Sequence, residues 1–141
     1  MIFDRQLRTP PAARVLSTLD AGPVIIVTKP QHAGAAVRTA LEARGAEIEV
    51  VDDGALRPAL RRLAGREIGS LLLEGGGGLH AAAWDDGVVD YVRLYVTPHV
   101  LGDAGVPLLP DRSFASADLH GRRVAALGPD VLIEGYVHRP G

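Results

Sequence analysis

A chain of 141 residues, 47% hydrophobic and 23% charged, has the size and composition of one packed domain and lies far from the disordered class. Its 15 basic and 17 acidic residues leave a formal charge of -2, which offers no sequence-wide attraction to nucleic acid or anionic lipid, and the lack of cysteine excludes disulfides, thiolate metal sites and cysteine nucleophiles. No apolar run approaches the roughly 20 residues of a membrane helix, and residues 1–5 have no basic region followed by a long apolar stretch, so a cytoplasmic protein with no membrane partner is expected.

The opening Ile2-Phe3-Asp4-Arg5 reads as a strand already in progress. Residues 23–28 form a continuously apolar, β-branched run between Gly22 and Pro30, which predicts a strand covered on both faces at the centre of a parallel sheet. From Gly34, the helical spacing of Val37, Ala40 and Leu41 predicts a helix, with Gly45 as its left-handed terminator. Residues 46–51 alternate, Ile48 and Val50 on one face and Glu47 and Glu49 on the other, as in a half-exposed strand. Leu56, Leu60 and Leu63 then return to helical spacing, with Arg57, Arg61 and Arg62 outward. Pro58 has to lie in the first turn of that helix, because further inside it would break a backbone hydrogen bond. Residues 68–73 are predicted as another apolar strand, and a third helix is expected from about Gly78 to before Gly87. Residues 88–97 read as a long strand, and residues 123–127 and 131–138 as a hairpin around Gly128-Pro129-Asp130. Strands alternating with helices and closed by antiparallel strands make an α/β sandwich with a mixed sheet.

The chemistry is expected at Leu71-Leu72-Leu73-Glu74-Gly75-Gly76-Gly77-Gly78-Leu79-His80, a strand, a glycine turn and a helix start in succession. Glycine lets a backbone approach a ligand closely, and the free N–H groups of a helix N-terminus attract phosphate. Gly76, Gly78 and Ala81 satisfy G-x-G-x-x-A, but Thr97 and Pro98 stand where a dinucleotide fold closes the next strand with an acid, and the Lys-Ser/Thr pair of a P-loop is missing. On spacing alone a tight structural turn and a phosphate site are equally good readings. Glu74, at the end of a buried strand, stands where α/β sheets open their crevices, or else is a solvated residue or a cap for nearby N–H groups.

The sequence becomes specific when three segments are taken together: Leu73-Glu74-Gly75-Gly76-Gly77, Asp86-Gly87-Val88-Val89-Asp90, and residues 94–102, Leu-Tyr-Val-Thr-Pro-His-Val-Leu-Gly. With the opening Ile2-Phe3-Asp4-Arg5-Gln6-Leu7-Arg8-Thr9-Pro10, they resemble, in the right order, the later part of the riboflavin-pathway pyrimidine reductases. The resemblance implies a dihydrofolate-reductase-like α/β three-layer sandwich, its mixed, mostly parallel sheet closed by a C-terminal antiparallel hairpin. It implies NADPH as hydride donor and a ribosylamino-pyrimidine phosphate as substrate. By the same resemblance Gly75, Gly76, Gly77, Gly78 and Leu79 wrap the cofactor phosphates and Glu74 contacts substrate. Arg5 stands where the family often has Ser or Thr near the adenosine end, and either pairs with the 2′-phosphate or is surface charge. The family domain also carries a first strand and substrate loop ahead of the segment that Met1 opens, so residues 1–141 are expected to be a single but incomplete reductase domain. Its partner would be a second copy or a separately encoded first segment. The alternative is a non-catalytic α/β module that binds a dinucleotide or a partner chain.

Other residues carry less. His32, His80, His99, His120 and His138 lack the paired spacing of metal-binding helices, so no metal is expected. His80, next to the glycine turn, reads either as a cofactor contact or, the commoner case, as a partly exposed helix residue, Asp85-Asp86 as a solvated helix end and Trp84 as a core or interface residue. None of the serines has the context of a nucleophile elbow.

Overall fold

The computed structural model describes residues 1–32, 34, 36–52 and 55–139. The chain divides into two compact units, Met1–Leu71 and Leu72–Gly141.

In the first unit, β1 (Ile2–Phe3), β2 (Ile25–Thr28) and β3 (Glu47–Val50) form a parallel sheet in that order, with Ile26 opposite both Ile2 and Ile48. Every residue of the central strand β2 is buried. Successive side chains of a strand point to opposite faces, so an unbroken apolar run needs cover on both. Ile26 accordingly packs with Leu7, Leu16, Val24, Leu41 and Ala46, and Val27 with Val51 and Ala59. The crossover that parallel neighbours require is supplied by α1 (Ala36–Ala43). The helix was expected from Gly34, and residue 35, just ahead of its first turn, lies outside the described residues. The chain leaves α1 through Gly45 at φ +89, with the Ala46 N–H donating to the Leu41 carbonyl. This is the left-handed exit predicted from sequence. α2 (Leu56–Ala64) buries Leu56, Ala59 and Leu63 and keeps Pro58 in its first turn. Arg62 and, just beyond the helix, Arg66 pair with Glu49 and Glu47 of β3.

Residues 68–73 form no strand, which overturns one predicted element. Apolar composition makes a segment fit for a strand, but the strand exists only where a neighbour completes the ladder. No described strand pairs with this segment, and Leu71 and Leu72 remain 44% and 75% exposed. Among the described residues the parallel strands form one three-stranded sheet and the antiparallel strands another.

In the second unit, α3 (Gly77–Asp85) is followed by β4 (Tyr91–Val96), β5 (His120–Leu127) and β6 (Asp130–Tyr136), paired antiparallel in the order β4-β6-β5. β4 starts later than predicted because the Val88 N–H completes the exit from α3 by donating to the Ala83 carbonyl at 3.2 Å. β5 and β6 meet in a two-residue turn whose first position, Gly128, has φ +62, a conformation open to glycine. Ala81, Ala83, Leu119 and Leu132 are buried, and Tyr91 meets Tyr136 edge-on at 4.7 Å. Among the described residues no helix is long and apolar enough to cross a membrane.

Candidate functional site

The glycine turn lies at the N-terminus of α3. Gly76 is the N-cap, with φ -81 and ψ 171 and no side chain to bond the helix start. Its carbonyl accepts the N–H groups of Leu79 at 3.0 Å and His80 at 3.1 Å. The amides of Gly76, Gly77 and Gly78 have no acceptor among the described residues. Unpaired amides are the rule for a first helical turn, and together with the helix dipole they make an electropositive spot suited to an anion.

The glycines divide into two pairs. A Cβ on Gly75 would stand 2.8 Å from Leu79 Cδ2, and one on Gly77 would stand 2.5 Å from the Pro107 carbonyl oxygen and 3.0 Å from the Pro110 ring. These two are glycines because the protein itself fills the space. A Cβ on Gly76 or Gly78 would meet nothing within 4 Å. Neither has positive φ, so neither is glycine for conformational reasons. The absence of a neighbour at these two positions leaves the backbone of the turn open to close approach.

Glu74, immediately before the turn, is exposed and bonded to nothing among the described residues. The Leu79 amide is engaged by Gly76 and its side chain packs over Gly75, so its part in the turn is to hold it. Glu74 through Leu79 thus lie together in the second unit. Arg5 belongs to the first unit, exposed in the turn after β1, where its carbonyl accepts the Thr28 hydroxyl at 3.4 Å.

Three features escaped the sequence reading. The ring of His80 faces back on the turn, where its Nε2 accepts the Gly75 N–H at 3.3 Å. This bond links positions five apart, a separation that no helical periodicity flags. Pro107 and Pro110, read as loop punctuation, back Gly77. In the first unit, Asp4 Oδ2 accepts both the N–H and the hydroxyl of Thr9, at 2.6 and 2.7 Å. Burial raises the Asp4 pKa, but the Thr9 hydroxyl and the backbone N–H groups of Arg8, Thr9 and Gln6 outweigh it and hold the carboxyl below its usual value. At the far end of α3, Asp85 is not merely solvated, since it pairs with Arg112, whose guanidinium lowers its pKa. Beside it Trp84 meets Phe114 edge-on at 5.5 Å.

Residues 1–133 match the family described as the RibD C-terminal domain. The chain is 28% identical over 135 residues to the riboflavin biosynthesis protein RibD of Aquifex aeolicus (strain VF5), an alignment covering 94% of this chain and 37% of that protein. It is 33% identical over 142 residues to the 2,5-diamino-6-ribosylamino-4(3H)-pyrimidinone 5′-phosphate reductase of Methanothermobacter thermautotrophicus (strain ATCC 29096 / DSM 1053 / JCM 10044 / NBRC 100330 / Delta H), covering 95% of this chain and 63% of that one. Among solved structures, Acinetobacter baumannii RibD, form 2, superposes with a TM-score of 0.72 at 22% identity, over 93% of this chain and 35% of that one. That likeness is one of fold, and it agrees with the dihydrofolate-reductase-like α/β class expected from sequence.

Proposed function

The chain belongs to the RibD C-terminal domain family, and from that premise we propose that it is an NADPH-dependent reductase of a ribosylamino-pyrimidine 5′-phosphate in riboflavin biosynthesis, reducing the ribosyl group to ribityl. The observation that carries this reading is the set of three unpaired amides at Gly76, Gly77 and Gly78 with open space over Gly76 and Gly78. These amides bind the cofactor pyrophosphate, with the dipole of α3 behind them. When bound, NADPH supplies the hydride. Glu74 holds a hydroxyl or amino group of the substrate, a role open to an exposed carboxylate with no partner of its own among the described residues. A second copy of the chain is the partner proposed for Val100, Leu101 and Val106, which are 92%, 76% and 78% exposed. A cytoplasmic location is proposed with it, in keeping with a sequence that has no cysteine.

The test is fluorescence titration with NADPH, paired with NADPH oxidation in the presence of a ribosylamino-pyrimidine phosphate. Gly76→Val should weaken cofactor binding severely by filling the space over the amides. Glu74→Gln should lower turnover and leave the NADPH dissociation constant near its starting value. Unchanged NADPH affinity in a folded Gly76→Val protein would reject the site, and equal loss of affinity and turnover in Glu74→Gln would make Glu74 a cap.

A further inference from the structure

Four consecutive glycines make a pliable segment, yet the turn needs one conformation if its amides are to converge on an anion. Among the described residues the one side-chain hydrogen bond to the turn is made by His80. Its backbone N–H donates to the Gly76 carbonyl at 3.1 Å while its ring Nε2 accepts the Gly75 N–H at 3.3 Å, so one residue clasps the turn at two successive positions. An imidazole that accepts at Nε2 is neutral and carries its proton on Nδ1. Nδ1 is buried and has no partner among the described residues. The bond from Gly75 is thus the ring's one hydrogen bond among the described residues.

We propose that His80 is a positioning residue for the anion-binding turn: by taking the Gly75 amide it fixes the backbone and confines a bound pyrophosphate to the amides of Gly76, Gly77 and Gly78. This rests on the reading that the turn binds the NADPH pyrophosphate, and it adds the group that sets the register of that contact. With Gly75 withheld, the anion meets three amides at the helix start and not a fourth one upstream. His80 acts on the ligand through Gly75 and needs no contact with it.

The experiment compares the wild-type chain with His80→Leu, which removes the acceptor and keeps bulk, and His80→Gln, whose carboxamide oxygen reaches the position of Nε2. NADPH and inorganic pyrophosphate are titrated into each, and the ring nitrogens of His80 are observed by 15N NMR in the wild type. The expected result is a protonated Nδ1 and a bare Nε2. Losing one ordering hydrogen bond should weaken both ligands roughly five- to tenfold in His80→Leu, and His80→Gln should recover most of that loss. A merely space-filling histidine would not be rescued by glutamine. Wild-type affinity in His80→Leu, no recovery in His80→Gln, or a proton on Nε2 would each overturn the proposal. If the wild type binds pyrophosphate but not NADPH, the cofactor reading falls while the His80 comparison still stands on pyrophosphate. If it binds neither, both fall.

Discussion

Adding one methyl group at Gly77 or at Gly76 separates packing from binding in the glycine turn. At Gly77 the new Cβ would lie 2.5 Å from the Pro107 carbonyl oxygen, inside any real contact distance, and a tight 3.0 Å from two atoms of the Pro110 ring, both of them parts that cannot rotate away. Overpacking of this kind costs about 1–3 kcal/mol, and the better helix propensity of alanine returns at most about 1 kcal/mol. Because the closest clash is with a backbone oxygen, the upper end of that cost applies, and Gly77→Ala should lose about 2 kcal/mol of stability. At Gly76 the Cβ meets nothing within 4 Å and φ is -81, so Gly76→Ala should stay within about 0.5 kcal/mol of the starting protein. Its cost should appear only with ligand, as a rise in the NADPH dissociation constant of roughly tenfold, about 1.4 kcal/mol. Urea unfolding followed by the fluorescence of Trp84, the sole tryptophan and a residue of α3, reads the first quantity in the relevant unit, and NADPH titration reads the second. If Gly76→Ala unfolds as early as Gly77→Ala, or if Gly77→Ala is as stable as wild type, the division of the turn into packing and binding glycines is wrong.

Two further outcomes are expected in the first unit. The folded-state pKa of Asp4 is depressed below 3.8, so its contribution is full above the unfolded value and is lost as pH falls through the folded one. Asp4→Asn should be less stable than wild type at pH 7 by on the order of 1 kcal/mol, with the gap in urea midpoints closing in acid, and a gap independent of pH would refute the linkage. Gly45→Ala should destabilise by more than about 1 kcal/mol, because φ is +89 and the Cβ would lie 2.6 Å from Leu19 Cδ1; an unchanged denaturation midpoint would refute it.

The elements that could be read from sequence are those whose cause is local or repetitive. β2 is a run of branched apolar residues that permits only a buried strand, and α1 carries both its periodicity and its exit glycine in the sequence. Residues 68–73 misled because a strand depends on a partner, and composition does not say whether one is in register beside it. In the turn, the four glycines and their likeness to a family pointed to a phosphate site without telling which glycine serves the ligand. That distinction needs Pro107, some thirty residues further along the chain, and the side chain of Leu79. His80 was set aside because its role is a bond to a backbone amide outside its own helix.

Helix α3 begins without a capping side chain and with two glycines in its first turn, so its start is weakly held by its own sequence. An anion held on the free amides, as proposed, would do the work that a serine or aspartate does at other helices. The melting of the second unit would then depend on the concentration of that anion. At a hundredfold excess over its dissociation constant a ligand adds about 2.7 kcal/mol, and amide hydrogen exchange at Leu79 and His80, whose bonds to the Gly76 carbonyl close the first turn, should slow as the site fills. Thermal stability and exchange in α3 become gauges of occupancy, readable without any substrate or turnover.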